Sequence, residues 1–354
     1  MQGKATRGRL ELPATTSSRP RTGPSQGDVA RLAGVSGQTV SRVANAVEGV
    51  NPETRRKVLA AMSELGYSPN RAARALRNGA FETIGVIAHK LTRTGESRTV
   101  EAVAEAARAS GHTITLLDVA SPATENLTEA ASRLSHQAID GLVIIRAEIE
   151  NPHGLVLPPR LPVVVSDSHF EGSLPTVSAD QVGGTRAAVR HLLDLGHPTV
   201  HLLAGPAASV PASVRREEWE AVLRQESRPV VAPLQGDWTP ASGYEAGLRI
   251  AEDPSVTAVF CANDEMAAGV ILALHDRGVR VPDDVSIVGF DNVPWSSYLW
   301  PPLTTVNQDF TAIGTKLVET LLEQMRSGLR PSQSRTLVPT QLIVRKSTAT
   351  PGRR

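Results

Sequence analysis

The stretch at residues 28–45 places the tightest constraint on how the start of this chain folds. Residues 28–33 predict a short helix, and Gly34 ends it because glycine turns easily into the left-handed conformation. Ser36 then supplies a hydroxyl that caps a second helix, which runs to about Asn45. Two short helices joined by a tight glycine turn are typical of a helix-turn-helix motif.

The second helix has a polar face that suits the reading of DNA. A helix in the major groove contacts base edges with side chains near its N-terminal end. Gln38 can pair with adenine and Arg42 with guanine, whereas the alternative interpretation is an ordinary solvated face. The candidate DNA-contacting residues of this helix are Ser36, Gly37, Gln38, Thr39, Ser41, Arg42 and Asn45.

A third helix is predicted from Pro52, with Asn51 as its cap and Gly66 at its end. Its apolar stripe is expected to close a small three-helix core with the first two helices. The predicted core residues are Val29, Leu32, Val40, Val43, Val58, Leu59, Met62 and Leu65.

The charge of the chain is unevenly distributed. The first 80 residues carry 13 Lys/Arg and five Asp/Glu, a net charge of +8, and the remaining 274 carry −7. A basic head on an acidic body indicates that the head neutralises DNA phosphates. The alternative, an incidental basic tail, accounts only for the residues before 25, which we expect to be disordered.

The bulk composition predicts a soluble protein of two or three domains. The single cysteine, Cys261, excludes an intrachain disulfide framework and suits a reducing cytoplasm. No apolar run is long enough to span a bilayer, and no signal peptide is recognisable. We therefore expect a cytoplasmic, nucleoid-associated protein without a membrane partner.

Beyond Phe81 the sequence alternates apolar strands with amphipathic helices, which implies parallel sheets covered on both faces. Ligands bind at the carboxyl ends of strands in such folds. Carboxylate, guanidinium and amide groups beside an aromatic ring suit a saccharide. Such residues follow the predicted strands at Asp167, Arg215, Trp238, Asn263 and Asp291.

Motifs of catalysis are absent from the sequence. It contains no HExxH, GxSxG or P-loop pattern, its nine histidines show no metal-ligand spacing, and Cys261 has no evident catalytic partner. We therefore predict that the protein is not an enzyme, with no catalytic residue, no metal and no cofactor.

The segment AGVSGQTVSRVAN resembles the signature of the lactose-repressor (LacI/GalR) family of bacterial transcription regulators, and the resemblance continues from about Asp28 to Lys346. It implies a small all-α helix-turn-helix head. It also implies an α/β core of two Rossmann-like lobes, similar to periplasmic binding proteins. Three crossovers between the lobes are expected near 178–180, 290–310 and 337–340. One departure precedes Asp28, where the family usually has Thr-Leu-aromatic and this chain has Ser25, Gln26 and Gly27.

The resemblance also implies a hinge helix at residues 68–79. In the family this helix forms when two subunits meet on DNA, and its leucine wedges into the minor groove. The matching positions here are Asn70, Arg74, Leu76 and Arg77. The alternative is a linker helix with its leucine packed inward.

The five strand-end residues also match saccharide-contacting positions of the family, in contexts such as GDW---SG. Gln308 is a weaker candidate of the same kind. Two positions depart from the pattern. Ile145, followed by the candidate contact Arg146, replaces an asparagine of the first lobe, and Pro211 replaces a serine.

These expectations divide the chain into five segments: a disordered basic tail (1–24), the helix-turn-helix domain (25–67), the hinge helix (68–79), a two-lobed effector-binding and dimerisation core (80–346), and a disordered tail (347–354). The predicted protein is a homodimeric repressor of a sugar-utilisation operon. A saccharide releases it from double-stranded operator DNA, with galactoside-like sugars among the candidates. One member of the family has an extra C-terminal leucine-rich helix that joins dimers into tetramers, and its lack here favours a dimer. The alternatives are a nucleobase or phosphosugar corepressor, or a sugar-modifying enzyme with a DNA-binding head.

Overall fold

The computed structural model describes residues 23–45, 47–68, 80–119, 124–136, 139–145, 155–158, 160–166, 174–328 and 334–352. The chain divides into two compact units, Met1–Gly79 and Ala80–Arg354. Each unit is described separately below, as the head and the core.

The described part of the head is formed by three helices. Local signals set their ends: Ser25 and Asp28 form a reciprocal capping box, and Gly34 ends the first helix with φ 67°. Gly66 ends the third helix in the same left-handed conformation. The helices are α1 (Gln26–Ala33), α2 (Gly37–Ala44) and α3 (Pro52–Leu65).

The apolar interior of the head differs from the predicted one at two positions. Leu32 and Leu59 are 46% and 49% exposed, so their assignment to the core was wrong. Ala61 is buried instead, since helices as short as these have space for only one narrow buried stripe each. The head is therefore centred on five small side chains, Val29, Val40, Val43, Val58 and Ala61.

The core unit contains two six-stranded sheets that define two lobes. The first sheet has the order β11-β5-β4-β3-β1-β2, and all its neighbours are parallel. The second has the order β12-β10-β9-β8-β6-β7, with only β12 antiparallel to its neighbour. The strands are β1 (Thr83–His89), β2 (Thr113–Val119), β3 (Gly141–Ile145), β4 (Val163–Ser166), β5 (Thr176–Ala179), β6 (His201–Ala204), β7 (Leu234–Gln235), β8 (Ala258–Cys261), β9 (Ser286–Asp291), β10 (Thr304–Gln308), β11 (Arg335–Val338) and β12 (Thr340–Ile343).

Helices cover both faces of each sheet, as the near-continuous apolar strands predict. Each face carries its own cluster of buried apolar side chains. The described helices of the core are α4 (Thr94–Ala109), α5 (Thr124–His136), α6 (Gln181–Asp194), α7 (Val210–Gln225), α8 (Pro240–Glu252), α9 (Asp264–Asp276) and α10 (Phe310–Ser327).

The chain passes between the lobes three times, close to the predicted positions. It leaves the first lobe after β5, returns after β10 and crosses again between β11 and β12. The segment 335–347, predicted as one strand, is therefore two strands in different sheets. Pro339 separates them because proline cannot donate a ladder hydrogen bond.

Helix α10 completes the first lobe although it follows the second lobe in sequence. The buried Gln324 side chain accepts a hydrogen bond from the Val163 N–H (3.3 Å) and donates one to the Val163 carbonyl (3.0 Å). Leu321 packs so closely over Gly141 that a Cβ there would collide with it. The first lobe thus depends on a helix from the far end of the chain.

The C-terminal segment packs onto the second lobe beyond residue 346. The Ser347 hydroxyl accepts a hydrogen bond from the Thr304 N–H (2.8 Å) and donates one to the Ile287 carbonyl (2.6 Å). The ordered core therefore extends past the boundary assigned from the sequence. Within the described ranges, no helix combines the length and hydropathy that a bilayer crossing requires.

Candidate functional site

The start of α2 is held in place by two hydrogen bonds. The Ser36 hydroxyl accepts from the Thr39 N–H (3.1 Å), as the capping prediction requires. The Gln26 side chain donates to the Gly37 carbonyl at 2.6 Å and so joins the starts of α1 and α2. Gln26 belongs to the lead-in that departs from the family pattern, and here it contributes a contact between the two helices.

One face of α2 is open to solvent. Gln38 and Arg42 are exposed and lie one helical turn apart, while Val40 and Val43 are buried on the opposite face. The Arg42 guanidinium donates to the Glu48 carbonyl (3.2 Å), which takes only one of its five N–H donors. The predicted recognition face thus presents an amide and a guanidinium outward.

Six predicted site residues cannot be placed, since they lie outside the described residues. The four hinge positions Asn70, Arg74, Leu76 and Arg77 are among them, as are Arg146 and Asp167 of the first lobe. Their roles stay predictions.

The core contains a cavity of about 620 Å³ between the two lobes. Four of the predicted ligand-binding residues, Arg215, Trp238, Asn263 and Asp291, line it. The remaining wall is formed by Lys90, Thr92, Arg93, Thr94, Pro206, Asp237, Thr239, Pro240 and Glu265. The sequence therefore located the second-lobe side of the cavity from residues that lie far apart in the chain.

Arg215 lies at the base of the cavity and is almost completely buried. Its Nε donates to the Gln181 side chain (2.8 Å) and its Nη1 donates to the Ala262 carbonyl. Its guanidinium carbon lies 3.6 Å from the ring centre of Phe290 and 5.7 Å from that of Trp238. The guanidinium is therefore held between two aromatic rings, where stacking offsets part of the cost of burial.

The buried guanidinium is balanced by Asp291 at the end of β9. The Arg215 Nη2 lies 3.7 Å from the Asp291 Oδ1, and the Gln308 amide donates to the same oxygen. Gln181 donates to the Gln308 side chain in turn (3.1 Å). Gln308 thus lies behind Asp291 and is not on the cavity wall. Its amide holds the Asp291 carboxylate in place.

Trp238 adopts a left-handed backbone conformation, with φ 78°. A hydrogen bond from the Asn263 amide to its carbonyl (3.0 Å) holds this conformation. Its ring lies so close to Gly205 that any Cβ at that position would clash. Strain of this kind persists only where the surroundings enforce it, and it is found preferentially at ligand clamps.

Asn263 has two structural tasks beside its place on the wall. Its side-chain oxygen accepts from the Met266 N–H (3.0 Å) and caps α9. Its amide nitrogen also donates to the Glu265 carboxylate (2.9 Å). Asn263 therefore caps α9 and lines the cavity at the same time.

A second carboxyl, Asp264, lies buried behind the wall. It accepts hydrogen bonds from the Val293 N–H (2.9 Å) and the Thr305 hydroxyl. Burial raises the pKa of this carboxyl well above its usual value, and the negative charge of Asp291 raises it further. The raised pKa favours the neutral form of Asp264, and Asp291 is the carboxylate that contacts the Arg215 guanidinium.

Comparisons with known proteins agree with this geometry. A profile of bacterial regulatory proteins of the lacI family matches residues 27–70, and a profile of periplasmic binding protein-like domains matches residues 189–348. The lactose operon repressor of Escherichia coli (strain K12) is 36% identical over 328 residues, which cover 92% of this chain and 90% of that protein. The PurR repressor of Histophilus somni (strain 129Pt) is 31% identical over 330 residues, 91% and 98% of the two chains.

A solved structure of the lac repressor dimer, bound to operator and the anti-inducer ONPF, superimposes with a TM-score of 0.79 at 33% identity. The alignment covers 93% of this chain and all of that one. The chain belongs to the lacI family of bacterial regulatory proteins. As a lacI-family protein it is a transcriptional repressor and not an enzyme, which confirms that part of the sequence-based prediction.

Sequence reasoning missed four first-lobe residues that line the cavity of this lacI-family protein. Lys90, Thr92, Arg93 and Thr94 follow β1, the first strand of the core. One signal could have found them: in parallel sheets the residues after the carboxyl ends of the strands face the ligand, and these four residues follow β1. Gln181 was also missed, because no local motif marks a side chain at a crossover.

The protonation of Asp264 leads to a testable prediction. The unfolded chain loses this proton above about pH 4, while the folded protein keeps it to higher pH. The native state then binds more protons than the unfolded state, so this group lowers stability as pH rises through that window. Asp264→Asn should therefore gain stability relative to the parent as the pH rises above about 4, by at most about 1.4 kcal/mol per pH unit, until the folded protein also loses the proton.

The measurement is the urea midpoint of both proteins across this pH range. The exposed Asp283 provides the control, since Asp283→Asn should follow the parent. A constant difference between Asp264→Asn and the parent would mean that Asp264 is ionised in the folded protein throughout.

Proposed function

We propose that this repressor binds operator DNA as a homodimer and leaves it when a saccharide binds in the cavity between the lobes. The observation that carries the proposal is the convergence of Arg215, Trp238, Asn263 and Asp291 on one cavity. Charged and amide groups beside an aromatic ring suit the hydroxyls and the apolar face of a sugar. Similarity to the lactose operon repressor supports the same ligand class.

The exposed face of α2 supports the DNA-binding part. Gln38 and Arg42 project from the side of the helix opposite its buried valines, which is the arrangement of a recognition helix. The lac repressor dimer, which this chain resembles, is bound to operator. A regulator that acts on bacterial DNA would work in the cytoplasm.

The coupling between the two activities would run through the predicted hinge at residues 68–79. Sugar binding would change the angle between the lobes and disfavour the paired hinge helices, with Leu76 as the minor-groove wedge. DNA and sugar would thus favour different states of the same dimer.

An exposed aromatic segment of the second lobe supports the homodimer. Tyr298 and Trp300 are 87% and 91% exposed, and Trp295 and Leu272 are also exposed. Contiguous exposed apolar patches mark interaction surfaces, and Trp and Tyr are enriched among the residues that dominate binding. The proposed occupant is the same segment of a second copy, since the similar lac repressor is a dimer.

The second candidate is a regulator with a nucleobase or phosphosugar corepressor. Similarity to the PurR repressor favours it, because PurR covers the chain as completely as the lactose operon repressor does. The decisive experiment selects a duplex from a random pool with the protein itself, then measures its affinity with and without mono- and disaccharides and nucleobases. Weaker DNA binding with a saccharide supports the proposal, whereas tighter binding with any ligand supports the corepressor.

Arg42→Ala should weaken binding to the selected duplex by about 1–3 kcal/mol, since it removes a bidentate base contact. Binding to unrelated duplexes should fall much less. Fluorescence anisotropy with both duplexes measures the two losses. Arg31→Ala removes one positive charge from α1 and serves as control, with equal small losses on both duplexes. Equal losses for Arg42→Ala would exclude base readout.

Asn263→Ser should weaken saccharide binding by about 1 kcal/mol, roughly the value of one hydrogen bond. Serine still caps α9, so the overall fold and the affinity for DNA should persist, while the lost hydrogen bond to the Trp238 carbonyl adds a local change at the cavity. Isothermal titration calorimetry and anisotropy measure the two affinities. Unchanged saccharide binding would place the ligand away from Asn263.

Trp300→Ser should weaken the free energy of dimerisation by about 2 kcal/mol or more, which is the loss expected for a tryptophan that dominates an interface. Sedimentation at several protein concentrations measures it. Val230→Ser, also on the surface of the second lobe, should leave the dimer intact. A dimer that tolerates Trp300→Ser would exclude this face.

A further inference from the structure

The first-lobe wall of the cavity carries positive charge. Lys90 and Arg93 line it together with the hydroxyls of Thr92 and Thr94, all between the end of β1 and the first turn of α4. The Arg93 Nη1 lies 3.5 Å from the Glu96 Oε1, and the Glu96 carboxylate is completely buried. This pair offsets one positive charge, and the Lys90 ammonium remains in addition.

The N-terminus of α4 adds to this charge. The side chain at its N-cap position, Arg93, makes no capping hydrogen bond, because a guanidinium cannot accept one. The first N–H groups of the 16-residue helix therefore lack a side-chain cap, and the helix dipole places partial positive charge there. A helix terminus beside a lysine and two hydroxyls favours an anion.

A carboxylate of the protein itself contacts this wall. The Thr94 hydroxyl, in the first turn of α4, donates to the Glu265 carboxylate of α9. Glu265 belongs to the second lobe, so this hydrogen bond joins the lobes across the cavity. The same carboxylate accepts from the Asn263 amide at 2.9 Å. One hydroxyl of the first-lobe wall therefore donates to a carboxylate, and Glu265 links that hydroxyl to a predicted ligand-binding residue.

We propose that the effector is an acidic saccharide, whose carboxylate or phosphate binds at the first-lobe wall in place of the Glu265 carboxylate. This inference rests on the proposed function and narrows its ligand class. The hydroxyls of the sugar would meet Asp291, Asn263 and Arg215, while its anionic group meets Lys90 and the N-terminus of α4. Displacement of Glu265 would break the hydrogen bond between the lobes and release the Asn263 amide for the ligand.

The first test compares sugars that differ only at C6. Glucose, glucuronate and glucose 6-phosphate form one set, and the three galactose counterparts form a second. Thermal shift and calorimetry on the full-length dimer should show that an acidic member binds about tenfold or more tightly than its neutral parent. The uronate and the phosphate arms distinguish the two sources of the anion. Raising the salt from about 0.05 M to about 0.5 M should reduce the preference.

The second test uses two variants that should act in opposite directions. Lys90→Gln removes a positive charge and should weaken binding of the acidic sugar about tenfold, with no effect on its neutral parent. Glu265→Gln removes the competing carboxylate but keeps a hydrogen-bond acceptor for Thr94, so it should strengthen binding of the acidic sugar. Lys316→Gln, on the exposed face of α10, is the charge-matched control and should change neither affinity.

The outcomes separate the two proposals. A neutral sugar that binds as tightly as its acidic forms would overturn the charge assignment and leave the saccharide-responsive repressor intact. Acidic sugars that bind equally well to the parent and to Lys90→Gln would place the anion elsewhere. If no acidic sugar in either set stabilises the dimer, this inference is wrong. If, in addition, no mono- or disaccharide changes the affinity for DNA, the proposed function is wrong as well.

Discussion

The second lobe depends on one buried charge. Arg215 has its guanidinium between two aromatic rings, and it contacts elements that are far apart in the chain: the start of α6, the end of β8 and the end of β9. A buried guanidinium is stable only when its donors are satisfied and its charge is matched. Asp291 provides the match, and the strand ends that hold it converge for the same reason. The geometry of the cavity therefore follows from the need to surround the buried Arg215 guanidinium with protein groups that accept its hydrogen bonds and match its charge.

The same requirement explains why the backbone is distorted around the cavity. Asp291 and Asn292 have positive φ values, as Trp238 does, and none of them is a glycine. Each side chain is held by partners: Asp291 by Gln308 and Arg215, and Asn292 by Asn307 and Arg345. Hydrogen bonds to the rigid strands thus offset the strain. Positions of this kind are the ones at which a lobe can respond to what binds in its cleft.

The sequence predicted those parts of the molecule that rest on local signals. Gly34 and Ser36 set helix ends of the head because caps and left-handed turns involve neighbouring residues only. The near-continuous apolar sequences of the strands likewise predict that they are buried on both faces. Leu32 and Leu59 were misplaced because exposure depends on which helix face finds a partner, and the helical pattern does not contain that information. Gln181, Gln308 and the first-lobe wall acquire their roles only when three crossovers bring distant segments together.

Helix α10 and strand β11 have a consequence for synthesis of the chain. The first five strands of the first lobe leave the ribosome long before α10, which covers one of their faces and bonds to Val163 through Gln324. Until the second lobe has been translated, that face of the sheet stays exposed to solvent and the edge of β5 that later pairs with β11 stays unpaired. The nascent chain therefore carries an exposed, aggregation-prone surface for much of its translation. A truncated product that ends before residue 310 would keep that surface permanently.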